Sequence, residues 1–390
     1  MLTRRRFLAG TTGAVGAAAL TPPFDALAQA AQSRPATPPA AAPASTGNVS
    51  AEIRALYDRA IVIDSTTIGG PDFAVDQAID SGMTASIVDL PIYPRTYANA
   101  ITALTEWSAA FRREGSKFVK VLKAADIETA KRERRFGVVL ACQDASILDA
   151  STFSVHDSNL RTLELFYDLG LRVLQMTHNE RNAVGDAFRE KRDAGLSRLG
   201  EAVVDRMNAL RMIVDVSHCS DLTTLEAIER STLPCVISHS ACRALYNTKR
   251  NKTDEQIRAV AAKGGLFGVY NMTLWMTDKP TSSVDTVLDH IDHAVRLAGE
   301  DHVAFGSDQA ILKNDTPMNA YLAGMRAYAQ RNLGLPGAER IPDHVMAEEL
   351  NHPQRMLRLA DALSRRGYKA AAIEKIIGGN VVRVFRDVCG

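Results

Sequence analysis

The chain has 390 residues, 46% hydrophobic and 23% charged, with a formal net charge of +1. That length and balance can bury a full core and exclude a disordered or fibrous chain. No run of three consecutive Lys or Arg lies beyond the extreme N-terminus, so nothing suggests a nucleic-acid groove and a small molecule is the expected partner.

Residues 1–30 read as a leader. Thr3-Arg-Arg-Arg-Phe7-Leu8 matches the twin-arginine export pattern, an apolar stretch of small residues follows, and Ala26-Leu-Ala28 or Ala28-Gln-Ala30 offers a cleavage site. Residues 31–50, rich in Ala and Pro, read as a disordered linker, and residues 51–390 as a single domain. A periplasmic or secreted bacterial protein is expected, exported folded, so that a metal can be loaded first. No later apolar run is long enough to span a bilayer. The five cysteines are odd in number and contain no CxxC, which argues against a disulfide framework and for small buried hydrophobes.

From residue 51 onward, apolar strand-length runs alternate with amphipathic helix-length stretches. The strand candidates are 60–64, 84–90, 137–143, 173–177, 213–218, 235–239, 265–270 and 303–308. Helices are expected over 200–210, 223–228, 253–262 and 284–297, the third opened by Thr253 with Gln256 as a capping box. Residues 345–385 are largely helical in composition, with Gly378-Gly-Asn380 as a helix stop. Eight strands interleaved with helices predict a (β/α)8 TIM barrel.

On that architecture the C-terminal ends of strands carry chemistry. Asp64, Gln143, His178, His218, His239 and Asp308 all end such runs. A lone histidine or aspartate there is more often a hydrogen-bonded structural group, but six across eight strand ends are hard to explain by packing. Val214-Asp-Val-Ser-His218 and Val236-Ile-Ser-His239 lie one strand-helix-strand repeat apart, which puts two imidazoles at neighbouring strand mouths. His290 and His293, three apart on a helix before the last strand, read as structural or surface residues, and Trp275 as core or, following the seventh strand, pocket wall.

These residues carry a pattern. With Leu171-Arg-Val-Leu-Gln-Met-Thr-His178-Asn, Gly195-Leu-Ser-Arg-Leu-Gly200, Ser238-His239-Ser240, Arg250-Asn251, Gly306-Ser-Asp308 and Gly378-Gly-Asn380, the chain resembles the membrane (renal) dipeptidase family, zinc peptidases of the amidohydrolase-like barrel type. The resemblance covers about residues 52–386. It implies two metals sharing a bridging glutamate and a bridging water. His218 and His239 fall on the histidines of the second metal, and Asp308 on an aspartate beside the metals that handles the proton or ligates. His178 and Arg250 fall on the residues that polarise the scissile carbonyl and hold the substrate carboxylate.

The first metal site departs from that pattern. The family's Asp-Gly-His-x-Asp reads Asp64-Ser65-Thr66-Thr67-Ile68 here, and the bridging glutamate reads Gln143. Isoleucine cannot ligate, threonine is a poor neutral ligand, and an amide cannot supply the charge that holds two dications together. One zinc is therefore expected rather than two, unless Asp64, Asp72 or Asp144 supplies a missing carboxylate. Three readings follow: a one-metal hydrolase cleaving a dipeptide or related small amide, a barrel repurposed to tailor an exported metabolite, and a metal-free pseudoenzyme or binding protein. A homodimer is a further expectation.

Overall fold

The structure is a computed structural model and describes residues 49–73, 75–92, 94–148, 158–310 and 346–390. The leader and residues 31–48 of the linker lie outside the described residues, as do His156 and His344.

Among the described residues, nine parallel strands follow one another: β1 (Ile63–Ile68), β2 (Ala85–Asp89), β3 (Phe118–Lys120), β4 (Phe136–Cys142), β5 (Leu171–Gln175), β6 (Ile213–Asp215), β7 (Val236–Ser240), β8 (Leu266–Val269) and β9 (Val303–Phe305). Eight of them run in the order β1-β2-β4-β5-β6-β7-β8-β9, with helices between, and make the barrel. The ninth, β3, pairs only with β4, through Phe118↔Phe136 to Lys120↔Val138. It has three residues, too few for alternation to show in the sequence. Because of it, the histidines expected on the fifth and sixth strands belong to β6 and β7.

Several strands end earlier than the apolar runs suggest. The runs 213–218 and 303–308 continue to His218 and Asp308, but the ladders stop at Asp215 and Phe305. The chain leaves the sheet there, which frees the polar residues to turn toward the mouth. The first strand shifts the other way, starting at Ile63 and reaching Ile68 across a bulge between Asp64 and Thr67.

One apolar cluster takes residues from all nine strands, among them Ile63, Val139, Val173, Val236 and Ala304, and therefore fills the barrel interior. The helix Asn380–Cys389 closes its lower end with Val381, Val384, Phe385 and Val388. Gly378 breaks the helix as expected: its backbone is non-helical, with φ 168° and ψ −31°, and the chain kinks there, in the turn Lys375–Gly379, before the last helix begins at Asn380. A Cβ on Gly378 would sit 2.2 Å from the Ile61 carbonyl oxygen, so glycine lets this turn press against the chain entering β1.

The helices Arg198–Leu210, Asp221–Arg230, Asp254–Ala262 and Val284–Ala298 match the expected stretches within a few residues. The Thr253 box forms: Gln256 N–H donates to Thr253 Oγ1 at 3.2 Å, and Thr253 N–H to Gln256 Oε1 at 2.8 Å. All five cysteines are free, four of them buried. Among the described residues, no helix is long and apolar enough to cross a membrane.

Candidate metal centre

His218 follows β6 and His239 sits inside β7, and their rings converge. The two Nε2 atoms are 2.9 Å apart. Each imidazole is held from behind at Nδ1, His218 by Asn179 Oδ1 at 3.1 Å and His239 by Ser238 Oγ at 2.8 Å. Burial pushes both rings well below the ordinary histidine range, and the neighbouring Arg250 guanidinium adds to the effect. Both imidazoles are therefore neutral at pH 7, as metal ligands must be. Zn–N bonds are about 2.0–2.1 Å long, so two nitrogens this close can reach one ion, and the donor set fits zinc. Among the described residues no three His, Cys, Asp or Glu side chains gather closely enough to hold an ion, so the histidine pair stands without an assembled third ligand.

The other expected residues surround the pair. His178 stacks on His218 with ring centroids 4.5 Å apart and 24° between planes. Burial, reinforced by Arg95, Arg250 and Arg189, holds it neutral as well. Asp308 follows β9 in a left-handed backbone conformation, φ +54°. Its N–H donates to the Thr66 carbonyl at 2.9 Å, which ties it across the seam to β1. Burial lifts its carboxyl to about 7, against the opposing pull of Arg250, and Gln143 beside it favours the ionised form. Arg250 is 1% exposed, and its two terminal nitrogens donate to the Ser217 and His239 carbonyls at 3.0 Å each. Its guanidinium thus clamps the main chain that carries both histidines, and each Nη keeps a second hydrogen.

The end of β1 is arranged differently. Thr66 is buried, with its hydroxyl turned onto the Ser65 carbonyl at 2.5 Å. Ile68 is 40% exposed at the rim. Asp64 is fully buried. Its Oδ1 accepts the Ser307 N–H at 2.8 Å and the Thr66 N–H at 3.3 Å, while Oδ2 pairs with Arg355 Nε at 2.8 Å. Of the carboxylates that could replace a lost ligand, Asp64 is thus committed, Asp144 is engaged by Ser146 and Asn182, and Asp72 is exposed. Gln143 gives its main-chain N–H to Asp89 Oδ1 at 2.9 Å, and Asp89 in turn holds Arg95 in a buried bidentate pair.

The sequence profile of the membrane dipeptidase family (peptidase family M19) matches residues 95–313, more than half of the chain. The chain belongs to the membrane dipeptidase family. It is 29% identical over 248 residues to dipeptidase tcpJ of the fungus Claviceps purpurea, covering 63% of this chain and 51% of that protein. It thus spans about half the length of this curated relative. Among solved structures, an amidohydrolase from Pseudomonas aeruginosa is similar with a TM-score of 0.75 at 25% identity, covering 86% of this chain and 98% of that one. A metallopeptidase from Rhodobacter sphaeroides, solved with a phosphinate mimic of the dipeptide L-Ala-D-Ala, shares the fold with a TM-score of 0.66 at 17% identity over 84% of this chain and 99% of its own.

Membership in this family implies a bound metal, and the histidine pair is where the residues fit one. Five participants escaped the sequence reading: Asn179, Asp215, Arg355, and Asp89 with Arg95. Asp215 had a visible signal, as the one acid inside an apolar strand run that ends in Ser-His. Arg355 had none, because it is distant in sequence and enters from a C-terminal helix.

Proposed function

We propose that this chain is an exported, dipeptidase-type metallohydrolase that uses one zinc ion rather than two and cleaves a dipeptide or related small amide bearing a carboxylate. One observation carries the reading: two neutral imidazoles bring their Nε2 atoms to within 2.9 Å of each other, while Thr66 and Ile68 at the end of β1 and Gln143 after β4 stand where the resemblance implies metal-binding groups. Zinc at the pair would supply Lewis acidity and a water acidified toward neutrality.

The protein's own groups supply the rest. Asp308, lifted to about 7 by burial, is matched to take a proton from a nucleophilic water and return it to a leaving amine near neutral pH. It is also the residue the resemblance offers as a third ligand. His178, neutral and stacked over His218, can donate one ring N–H to the carbonyl being attacked. The second hydrogens of Arg250 are the donors for a substrate carboxylate, with its main-chain contacts fixing their direction. Export by the twin-arginine route is part of this reading, and Arg4→Lys with Arg5→Lys should strand the protein in the cytoplasm.

The test is a panel of dipeptides and N-acyl amino acids given to protein of measured zinc content. Chelator-sensitive hydrolysis is expected, and Arg250→Ala should raise KM for carboxylate-bearing substrates far more than for their amides. Hydrolysis indifferent to chelator, or equal losses for acids and amides, would exclude these assignments.

A further inference from the structure

Each of the two histidines is preceded by a serine, and the function described so far uses only the histidines. The serines converge on one carboxylate. Asp215, the last residue of β6, is 3% exposed. Its Oδ1 accepts the Ser217 N–H at 2.9 Å, the Ser217 hydroxyl at 2.5 Å and the Ser238 N–H at 3.3 Å, while Oδ2 accepts the Ser238 hydroxyl. Burial pushes this carboxyl up from its ordinary range, and the four donors oppose that push. The two main-chain N–H groups can only donate and both serine hydroxyls lie on the carboxylate oxygens, so the geometry assigns Asp215 the acceptor role in all four bonds.

The proton count then runs in one direction. Each serine hydroxyl has a single hydrogen, and a charge-assisted bond to a carboxylate is stronger than a neutral one. Both hydrogens therefore go to Asp215, although the two hydroxyls lie 3.1 Å apart. Ser238 Oγ is left with lone pairs toward His239 Nδ1 at 2.8 Å, and Ser217 Oγ with lone pairs toward the His239 main-chain N–H at 3.2 Å. The hydrogen between Ser238 and His239 must then belong to Nδ1. The rival arrangement, a proton on His239 Nε2 bonded directly to His218 Nε2, would require Ser238 to donate to the imidazole and desert the carboxylate.

We propose that Asp215 is a positioning residue that acts through Ser238 and Ser217 to hold His239 in its Nδ1–H tautomer, so that a bare Nε2 faces His218 and awaits a divalent cation. The Ser-His repeat in the sequence is on this view one device: two ligands and the two hydroxyls that orient one of them. Only the cation rests on the one-metal reading above. The tautomer does not.

The experiment is nitrogen NMR of histidine-labelled full chain, first metal-free and then titrated with zinc alone against a competing chelator. In the metal-free wild type, His239 should show a protonated Nδ1 and an unprotonated Nε2. Ser238→Ala, which removes one hydroxyl from a buried site, should give a mixture of tautomers and weaken zinc binding roughly 10- to 100-fold, the usual cost of losing a partner behind a ligand. Asp215→Asn should act in the same direction, and should it fail to fold, the Ser238→Ala result decides. A wild-type proton on Nε2, or a folded Ser238→Ala protein with unchanged tautomer and unchanged zinc affinity, would overturn the proposal. Absence of dipeptide hydrolysis would count against the enzymatic reading and leave the tautomer measurement standing.

Discussion

The mouth of this barrel has two unlike halves. At β6 and β7, the two imidazoles meet through their Nε2 atoms, 2.9 Å apart, and are held at Nδ1 by Asn179 and Ser238. At β1, side chains of similar polarity are turned back onto the main chain: Thr66 onto a carbonyl, Asp64 onto two N–H groups and Arg355. A site for a cation needs donors whose remaining valences are satisfied from behind, as Asn179 and Ser238 do for the histidines. A polar residue satisfied from the front has become structure. The seam explains the second case, because β1 and β9 close the barrel with few main-chain bonds and the Asp64 carboxylate stands in for a rung.

The comparison is broken most directly by counting metal. Wild-type protein loaded with zinc and then desalted should retain at most one equivalent, measured by atomic emission. His239→Ala should retain none, because a single imidazole cannot hold the ion, whereas Thr66→Ala should match the wild type. Two equivalents in the wild type would show that the end of β1 still binds metal. No retention under any loading condition would favour a metal-free protein in which the histidines serve only as a polar network.

The next largest effect belongs to the other half. Arg355 and Asp64 are both fully buried, so Arg355→Met leaves an unpaired carboxylate inside the seam. Removing one partner of a buried pair typically costs about 3–5 kcal/mol, which should appear as a large loss of stability in urea with the zinc equivalent retained in protein that remains folded. A loss of zinc without a loss of stability would mean that Arg355 serves the metal half instead. Deleting both charges in Asp64→Asn with Arg355→Met should recover part of the loss, since an amide can still accept the Ser307 N–H.

The division of labour was only half legible in the sequence. Apolar runs and their spacing suffice for the barrel because burial on both faces of a parallel sheet leaves a simple pattern, and histidines ending two such runs are visible for the same reason. Short β3 and the early ends of β6 and β9 are not, because pairing there depends on partners distant in the chain. The identity changes at Thr66, Ile68 and Gln143 could be read residue by residue. The partner that holds Asp64 could not: Arg355 lies 291 residues from it, and nothing in either neighbourhood announces the other.

The smallest expected effect sharpens the comparison most. Gln143→Glu places a carboxylate where the resemblance implies the bridging ligand while leaving Thr66 and Ile68 unchanged. One acid added to a half whose other side chains are turned away should not create a second site, so zinc content should remain at one equivalent. Its consequence should be electrostatic. Gln143 now favours the ionised form of Asp308, and a glutamate there would add a like charge to those of Asp89 and Asp64, which already oppose ionisation. A neighbouring like charge disfavours the charged form, so the Asp308 carboxyl, already at about 7, should move higher. Since a base must be deprotonated to act, the rise of kcat/KM with pH should be displaced to more alkaline values, with little change on the plateau. A displacement toward acid, or a second equivalent of zinc in this single variant, would mean that the added carboxylate meets a cation there and that the two halves of the mouth differ by far less than their side chains suggest.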